Sequence, residues 1–503
     1  LGPGPRLLAR APYARHSQSL QGLARPRGGM VVGGSRDLAG RAVEEALDSV
    51  GGTFYHQSLI PLVIVTAVLA WQARPSTTEE MPPGFRKFQA CYLSVWAFCA
   101  AADWLQGPYV YALYLHYDYT RHEIAVLFVA GFASSLVFSC AVGAVCDRFG
   151  RKKCALAYCV LYIASCLAKH VKSFGVLMLG RITGGIATSL LFSCFECWMV
   201  SEHSSRKGFS SDLLSYMFGL MYTLNYFAAI VSGIVGELLV NRFAFQAAAP
   251  GSLLHFGGVL GPFDLAILSL LLGGVLIICL WDENYGQQLG SGGAGPQQSL
   301  LSNLCEALRL VLSSRRLLLL GLGAACFEGS MYAFIFNWTP ALQSEEVPPP
   351  YGLIFALFMM SCMCGASVST LCAEHLQPTS RLLVVFALGA GSLIVAAMVC
   401  NLSLLRLCFA AFCLFEFCVG VYFPSVGILK SELVPERVRG TVYNLYRVPL
   451  NTVVVVALLT KMSTAQVYTF CAALLACGTF CISYVASGHG AIAKAELVAG
   501  KNV

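Results

Sequence analysis

Glutamate follows phenylalanine three times inside stretches that are otherwise apolar. Glu196 stands in SCFECW (Ser193–Trp198), Glu328 in CFEG (Cys326–Gly329) and Glu416 in LFEF (Leu414–Phe417). A fourth acid, Asp103, lies in AAADWLQGPY from Ala100. Two arginines accompany them, Arg181 in GRITGG and Arg447 in NLYRVP. In hydrocarbon a carboxylate suits proton relay or pairing with a cation, and an arginine fork suits reception of an oxyanion. Each acid costs ~2.5–3.5 kcal/mol at the centre of a spanning helix, so four cost about 10 kcal/mol. They must therefore face water, pair with cations or sit protonated. The plain structural alternative is a set of interhelical hydrogen bonds worth ~1 kcal/mol each.

The spacing of the acids argues against four unrelated accidents. Asp103 to Glu196 is 93 residues and Glu328 to Glu416 is 88. Asp103 to Glu328 is 225, and Glu196 to Glu416 is 220. One half of the chain thus repeats in the other, the arrangement in which carriers place a site between halves. Arg181 and Glu196 share one segment but stand 15 residues apart, about 22 Å along a helix. Each needs a partner on another segment. For Arg181 the structural alternative is a locking pair with Asp103 or Glu328. For Arg447 it is a side chain that snorkels to headgroups.

The elements that must position these groups are spanning helices. The 503 residues are 57% hydrophobic and 12% charged, against ~25% charged in soluble domains. Apolar runs of about 18 residues or more recur, so the chain reads as an all-α polytopic protein of the lipid bilayer. The net charge of +7 is spread over short loops and gives no reason to expect nucleic acid. Most of the 22 cysteines lie in apolar runs, where they act as small apolar residues, and no zinc spacing or cofactor motif is present.

Apolar segments fall near 58–73, 88–116, 121–146, 153–171, 174–201, 209–241 and 262–281, then near 316–341, 350–374, 381–400, 403–430, 440–460 and 465–487. The expected organisation is a leader over 1–57, an extra helix over 58–73, a six-helix half over 88–281, a cytoplasmic linker over 282–314, a second six-helix half over 315–487 and a tail over 488–503. The four acids then fall on the first, fourth, seventh and tenth core segments. Residues 1–29 carry Arg6, Arg10, Arg15, Arg25 and Arg27 with no acid, a composition open to a transit peptide. The preferred reading starts the native chain at Met30. GSGGAGPQQS (Gly290–Ser299) reads as a flexible linker. Placing the start of the first core segment inside gives 16 Lys/Arg in inner loops, Lys430 among them, and 6 in outer loops, Lys169 among them, as the positive-inside rule asks. The sequons at Asn337 and Asn401 then fall outside, in loops too short to favour glycosylation. Gly184, Gly185 and Gly365 suit close helix contact, and Pro108 and Pro424 suit kinks.

The most specific string is GAVCDRFGRKK (Gly143–Lys153). It resembles the loop signature of the major facilitator superfamily. Gly143 is expected to let two helices touch, Gly150 to make the turn, and Asp147 to meet free amides at a helix N-terminus. Arg148, Arg151 and Lys152 hold the loop inside, with Glu202 as their candidate acidic partner. The corresponding string in the second half, AEHLQPTSR (Ala373–Arg381), is degenerate. A narrower resemblance runs over roughly 88–490. AAADWLQGPY, LFSCFECW, Glu202-His203, DENY from Asp282, Trp338-Thr339-Pro340, GVYFPS from Gly420 and Arg447-Val448-Pro449 are similar to the molybdate-anion transporter family. That resemblance implies a major facilitator fold of two pseudo-symmetric six-helix halves plus an N-terminal helix. It also implies acids that face a central path and molybdate uptake at the plasma membrane.

Three functions stay open on the residues. The first is a secondary carrier of a small oxyanion, with Asp103, Arg181, Glu196, Glu328, Glu416 and Arg447 as binding or coupling residues. Gly143, Asp147, Arg148, Gly150, Arg151, Lys152 and Glu202 form its gating loop, and protons are the candidate coupling ion. The second is the same fold carrying another solute. The third is a receptor that does not transport. The chain holds no Walker loop, His-Glu-x-x-His or nucleophile elbow, which disfavours an enzyme.

Overall fold

The computed structural model describes residues 51–206, 208–285, 300–343, 349–400, 404–435 and 438–499. The leader before residue 51, GSGGAGPQQS and the Asn401 sequon lie outside the described residues. Helix α1 (Gly51–Gln72) comes first and starts seven residues ahead of the apolar run at 58. The first core span is α2 (Phe85–Gln106), a 3₁₀ turn (Gly107–Tyr109) and α3 (Val110–His116). Pro108 sits in that turn, where its missing N–H and fixed φ break the α-helical ladder. Then follow α4 (Arg121–Phe149), α5 (Arg151–Ala168), α6 (Phe174–Val200), α7 (Ser211–Arg242) and α8 (Gly261–Leu280).

Local sequence explains the starts. Thr120 and Glu123 form a reciprocal capping box at the head of α4. Ser210 accepts from Leu213 N–H at the head of α7. Each satisfies amides that the first turn leaves open. After the linker come α9 (Leu300–Ser313), α10 (Arg315–Ala341), α11 (Tyr351–Leu371), α12 (Pro378–Val399), α13 (Leu405–Leu433), α14 (Arg439–Leu459) and α15 (Thr464–Ala499).

Among the described residues, eleven helices are long and apolar enough to cross a membrane. Phe85–Gln106 and Arg151–Ala168 are packed among them and are more polar, because one carries Arg86, Lys87 and Asp103 and the other opens on Arg151-Lys152-Lys153. The packing repeats between halves. In the first, α2 meets α7 and α8, α5 meets α6 and α8, and α4 meets α6. In the second, α10 meets α14 and α15, α12 meets α13 and α15, and α11 meets α13. Two seams join the halves, α4 on α14 and α7 on α11. At the second seam a Cβ on Gly352 would lie 2.3 Å from the Gly233 carbonyl oxygen, so two backbones meet there.

Two elements differ from expectation. The linker contains α9, which buries Ala307 and Val311 against Leu317, Val438, Val442 and Tyr446. Its apolar residues recur at three- and four-residue steps, so it is an amphipathic helix docked on the second half. α1 turns Ile60, Ile64, Val68 and Trp71 outward, each at least half exposed, which suits lipid. Its other face docks on the second half, with Tyr55 edge-on to Phe409 at 5.1 Å and Thr66 Oγ1 3.2 Å from Cys364 Sγ.

Candidate functional site

The repeat-related acids sort by their tyrosine neighbours into two sets. In the first, the Tyr162 hydroxyl of α5 donates to Asp103. Glu328 of α10 accepts from Lys430 Nζ at 3.0 Å and from the Tyr422 hydroxyl at 2.9 Å, both on α13. Tyr332, one turn beyond Glu328, lies in the field of Glu328, Arg447 and Asp103. In the second group, Tyr222 and Tyr226 stand one turn apart on α7. Tyr222 faces the Glu196 carboxylate, and Tyr226 lies in the field of Glu416 and contacts Cys362 at 3.9 Å. Glu416 is 5% exposed.

The cations depart from the sequence reading. Lys430, counted as an inner-loop residue, is inside α13 and bound to Glu328. Lys169, counted as an outer-loop residue, is buried at the end of α5. Arg181 has no carboxylate within ion-pair distance among the described residues, so it locks neither Asp103 nor Glu328. Its Nε donates to the Leu127 carbonyl at 3.1 Å, and its guanidinium lies 4.8 Å from the Phe128 ring centre. Arg447 does not snorkel to the surface. It crosses the α4–α14 seam and donates to Ser139 Oγ at 2.6 Å. Arg181 packs against Gly131 of α4 and Arg447 against Ser139, eight residues or about 12 Å further along that helix. A cleft between α4 and α14, lined by Val129, Phe132, Leu136, Val448 and Asn451, is apolar and holds none of these charges.

The outer end is sealed by a residue that the sequence reading passed over. Glu237 of α7 accepts from the Tyr109 hydroxyl at 3.1 Å and from Gly352 N–H at 2.9 Å, joining α7, the broken first span and the head of α11. Arg121, at the head of α4, donates to Asn337 Oδ1 of α10 at 2.6 Å. Asn337 is wholly buried in α10, so the sequon there lies inside the bundle and not in an outer loop. Glu237 was legible by the rule that found the others, since it is a lone carboxylate in an apolar run.

The inner loop is rewired relative to expectation. Gly143 makes no close helix contact among the described residues, for a Cβ there would meet nothing within 4 Å. Asp147 caps no helix and pairs with Arg151 at 2.8 Å, one turn on. The amides of Lys152 and Lys153 go to Glu283 instead, at 2.8 and 3.3 Å. Lys152 Nζ donates to the carbonyls of Ile278 and Trp281, and Arg151 to that of Cys197. Arg151 and Lys152 thus take partners other than Glu202, which is buried in the π-helical turn Ser201–Arg206. Arg148 lies over the Phe149 ring. Gly150 has φ +100°, and a Cβ there would fall 2.5 Å from the Glu283 carboxyl carbon. Only glycine fits both constraints.

A family model described as sugar transporters with 12 transmembrane spans matches residues 54–414. A molybdate-anion transporter of Xenopus tropicalis is 34% identical over 444 residues, covering 84% of this chain and 92% of the relative. One of Danio rerio is 31% identical over 415 residues, covering 78% and 83%. Among solved structures, a D-xylose–proton symporter matches with a TM-score of 0.57 at 12% identity over 80% of this chain and 97% of that one. An auto-inhibited peptide transporter of the POT family matches with a TM-score of 0.60 at 11% identity over 80% and 97%. The last two likenesses are of fold alone.

Proposed function

The chain belongs to the major facilitator superfamily, in the branch of the molybdate-anion transporters, and from that membership we propose that it takes up molybdate across the plasma membrane by alternating access. It is a multi-pass carrier, and no chemical step on the substrate is assigned to it.

The observation that supports an oxyanion cargo is the state of Arg447. It reaches across the seam between halves to the Ser139 hydroxyl, and among the described residues no carboxylate stands within ion-pair distance of it. Its charge is therefore available to an anion. Glu328 already holds its own cation in Lys430. A planar guanidinium donates several hydrogen bonds to a tetrahedral oxyanion, and a desolvated site strengthens each.

Coupling follows from the same pair. In this reading a dianion held by Arg447 competes with Glu328 for Lys430, since Tyr332 lies between the fields of Glu328 and Arg447. Glu328, parted from its counter-ion, is then the carboxyl that we assign to the coupled proton. Anion and proton move together in one direction. Asp103, held by Tyr162, and Glu196 and Glu416, read by Tyr222 and Tyr226, supply further carboxyls along the same four helices. The α4–α14 and α7–α11 seams are the surfaces that must part, and the loop around Asp147, Gly150 and Arg151 braces the inner end of the first half.

The test is uptake in cells that lack their own molybdate uptake. Expressing the chain must raise accumulation of radiolabelled molybdate, and an inward proton gradient must accelerate it. A panel of molybdate, tungstate, sulfate and sugars separates this reading from a sugar carrier. Uptake of a sugar with none of molybdate overturns it.

A further inference from the structure

A buried cation, Lys169, and a partly buried one, Arg181, stand on the adjoining helices α5 and α6 at the outer end of the first half. Lys169 is 3% exposed, and its Nζ has neutral acceptors: Gln106 Oε1 at 3.0 Å, Ser165 Oγ at 3.0 Å and the Ser165 carbonyl at 3.2 Å. Ser165 Oγ in turn donates to the Gly180 carbonyl at 2.7 Å, and Gly180 precedes Arg181. The helices touch there, since a Cβ on Gly180 would lie 2.8 Å from that of Ala168 and one on Gly184 would lie 2.8 Å from Ser165 Oγ. The two charges therefore stand in each other's field. The acids of neighbouring turns are engaged elsewhere, Asp264 by His170 at 2.8 Å and Asp103 by Tyr162.

A third polar group points to a ligand. Tyr114 is wholly buried, and among the described residues its hydroxyl finds no hydrogen-bond partner. Its ring packs on Phe128 at 6.4 Å, the same ring that carries the Arg181 guanidinium. A buried hydroxyl without a partner costs free energy that a bound acceptor recovers. Two like charges without a counter-ion have the same need. The chemistry that meets both needs is an anion bearing several acceptor oxygens.

We propose that Lys169, Arg181 and Tyr114 form an outer oxyanion station, separate from Arg447, that receives a tetrahedral dianion before it moves to the seam between halves. This rests on the carrier reading above. In it Lys169 exchanges a neutral acceptor for an oxyanion oxygen, Arg181 offers its terminal nitrogens, and Tyr114 donates its free proton.

The experiment measures initial rates of molybdate uptake against concentration, together with protection of the purified full-length chain from thermal unfolding by sodium molybdate. Lys169→Met and Tyr114→Phe should each raise KM about tenfold, the size of one lost charge-assisted hydrogen bond. Both should lose most of the molybdate protection, and Lys169→Arg should restore it. Tyr114→Phe removes one oxygen from a site that is already unbonded, so it decides the matter even where Lys169→Met fails to fold. Wild-type KM and wild-type protection in Tyr114→Phe and in any folded Lys169→Met overturn the station while leaving the carrier intact. A wild-type chain that shows neither uptake nor protection overturns the carrier reading itself.

Discussion

Lys430 donates to Glu328 Oε1 across 3.0 Å, joining the tenth core span to the seventh deep within the second half. Both side chains are less than a fifth exposed. Removing one partner of such a pair leaves a desolvated charge and costs about 3–5 kcal/mol, whereas removing both can be nearly neutral. Glu328→Gln or Lys430→Met alone should lower the thermal unfolding midpoint of the purified protein. The double variant Glu328→Gln/Lys430→Met should recover most of it. Transport should not recover, because the proton acceptor and the mobile cation are both gone. Molybdate uptake by the double variant at the wild-type rate would mean that the pair is only a brace.

Glu237 should behave as a gate residue. Its Oε2 accepts from Tyr109 and from the Gly352 amide, so Glu237→Ala opens two hydrogen bonds at the outer end of the α7–α11 seam. The expected outcome is faster labelling of a cysteine at Phe336 by a membrane-impermeant maleimide added outside. Phe336 is buried where Tyr111 and Phe128 pack edge-on against it, at 5.2 and 5.3 Å. Unchanged labelling in Glu237→Ala would show that the aromatic contacts alone close that end.

The loop signature makes a stability prediction. Glu283 accepts from the first amides of α5, so Glu283→Ala removes an N-terminal cap worth about 1 kcal/mol. Gly150→Ala should cost more. A left-handed residue with a Cβ is disfavoured by roughly 1–2 kcal/mol, and the new Cβ would also displace the carboxylate. Chemical unfolding in detergent should rank Gly150→Ala below Glu283→Ala and both below Gly143→Ala. Gly143 has open space around its Cα, so Gly143→Ala should be neutral.

The spans were legible because an apolar run long enough to cross a bilayer is read residue by residue. The acids were legible because each interrupts such a run, and Glu237 would have been found by the same rule. Partners were not legible. Glu283 reaches α5 from beyond α8, and nothing in DENY announces that its carboxylate and not that of Asp147 meets the free amides. Lys430 and Lys169 fell near the ends of apolar runs, where a basic residue reads as a loop anchor. Their burial depends on Glu328 and Gln106, distant in sequence, so only packing reveals them. Gly143 shows the converse, for a motif glycine predicts a contact that its neighbours do not supply. In α9 the signal was present as a helical repeat, but the adjacent Gly-rich stretch outweighed it.

The segment between α1 and α2 ties the two halves. α1 docks on the second half through Tyr55 on Phe409 and Thr66 beside Cys364. The chain that leaves it then touches the first half, where Ser210 Oγ, the N-cap of α7, donates to Glu79 and where Pro75 packs on Gly219. A rocking motion that separates the halves on that side must carry this strap with it. The fit at Pro75 is tight, because a Cβ on Gly219 would lie 2.9 Å from two of its ring carbons. Gly219→Leu should therefore push the strap off α7 without touching any charged residue of the path. The expected result is a maximal uptake rate changed by several-fold with KM for molybdate little altered, since the anion contacts are intact and only the excursion between states is affected. Pro75→Ala in the same background should return the rate toward wild type by relieving the clash. A Gly219→Leu variant that folds and transports with unchanged maximal rate would show that the strap rides passively on the first half.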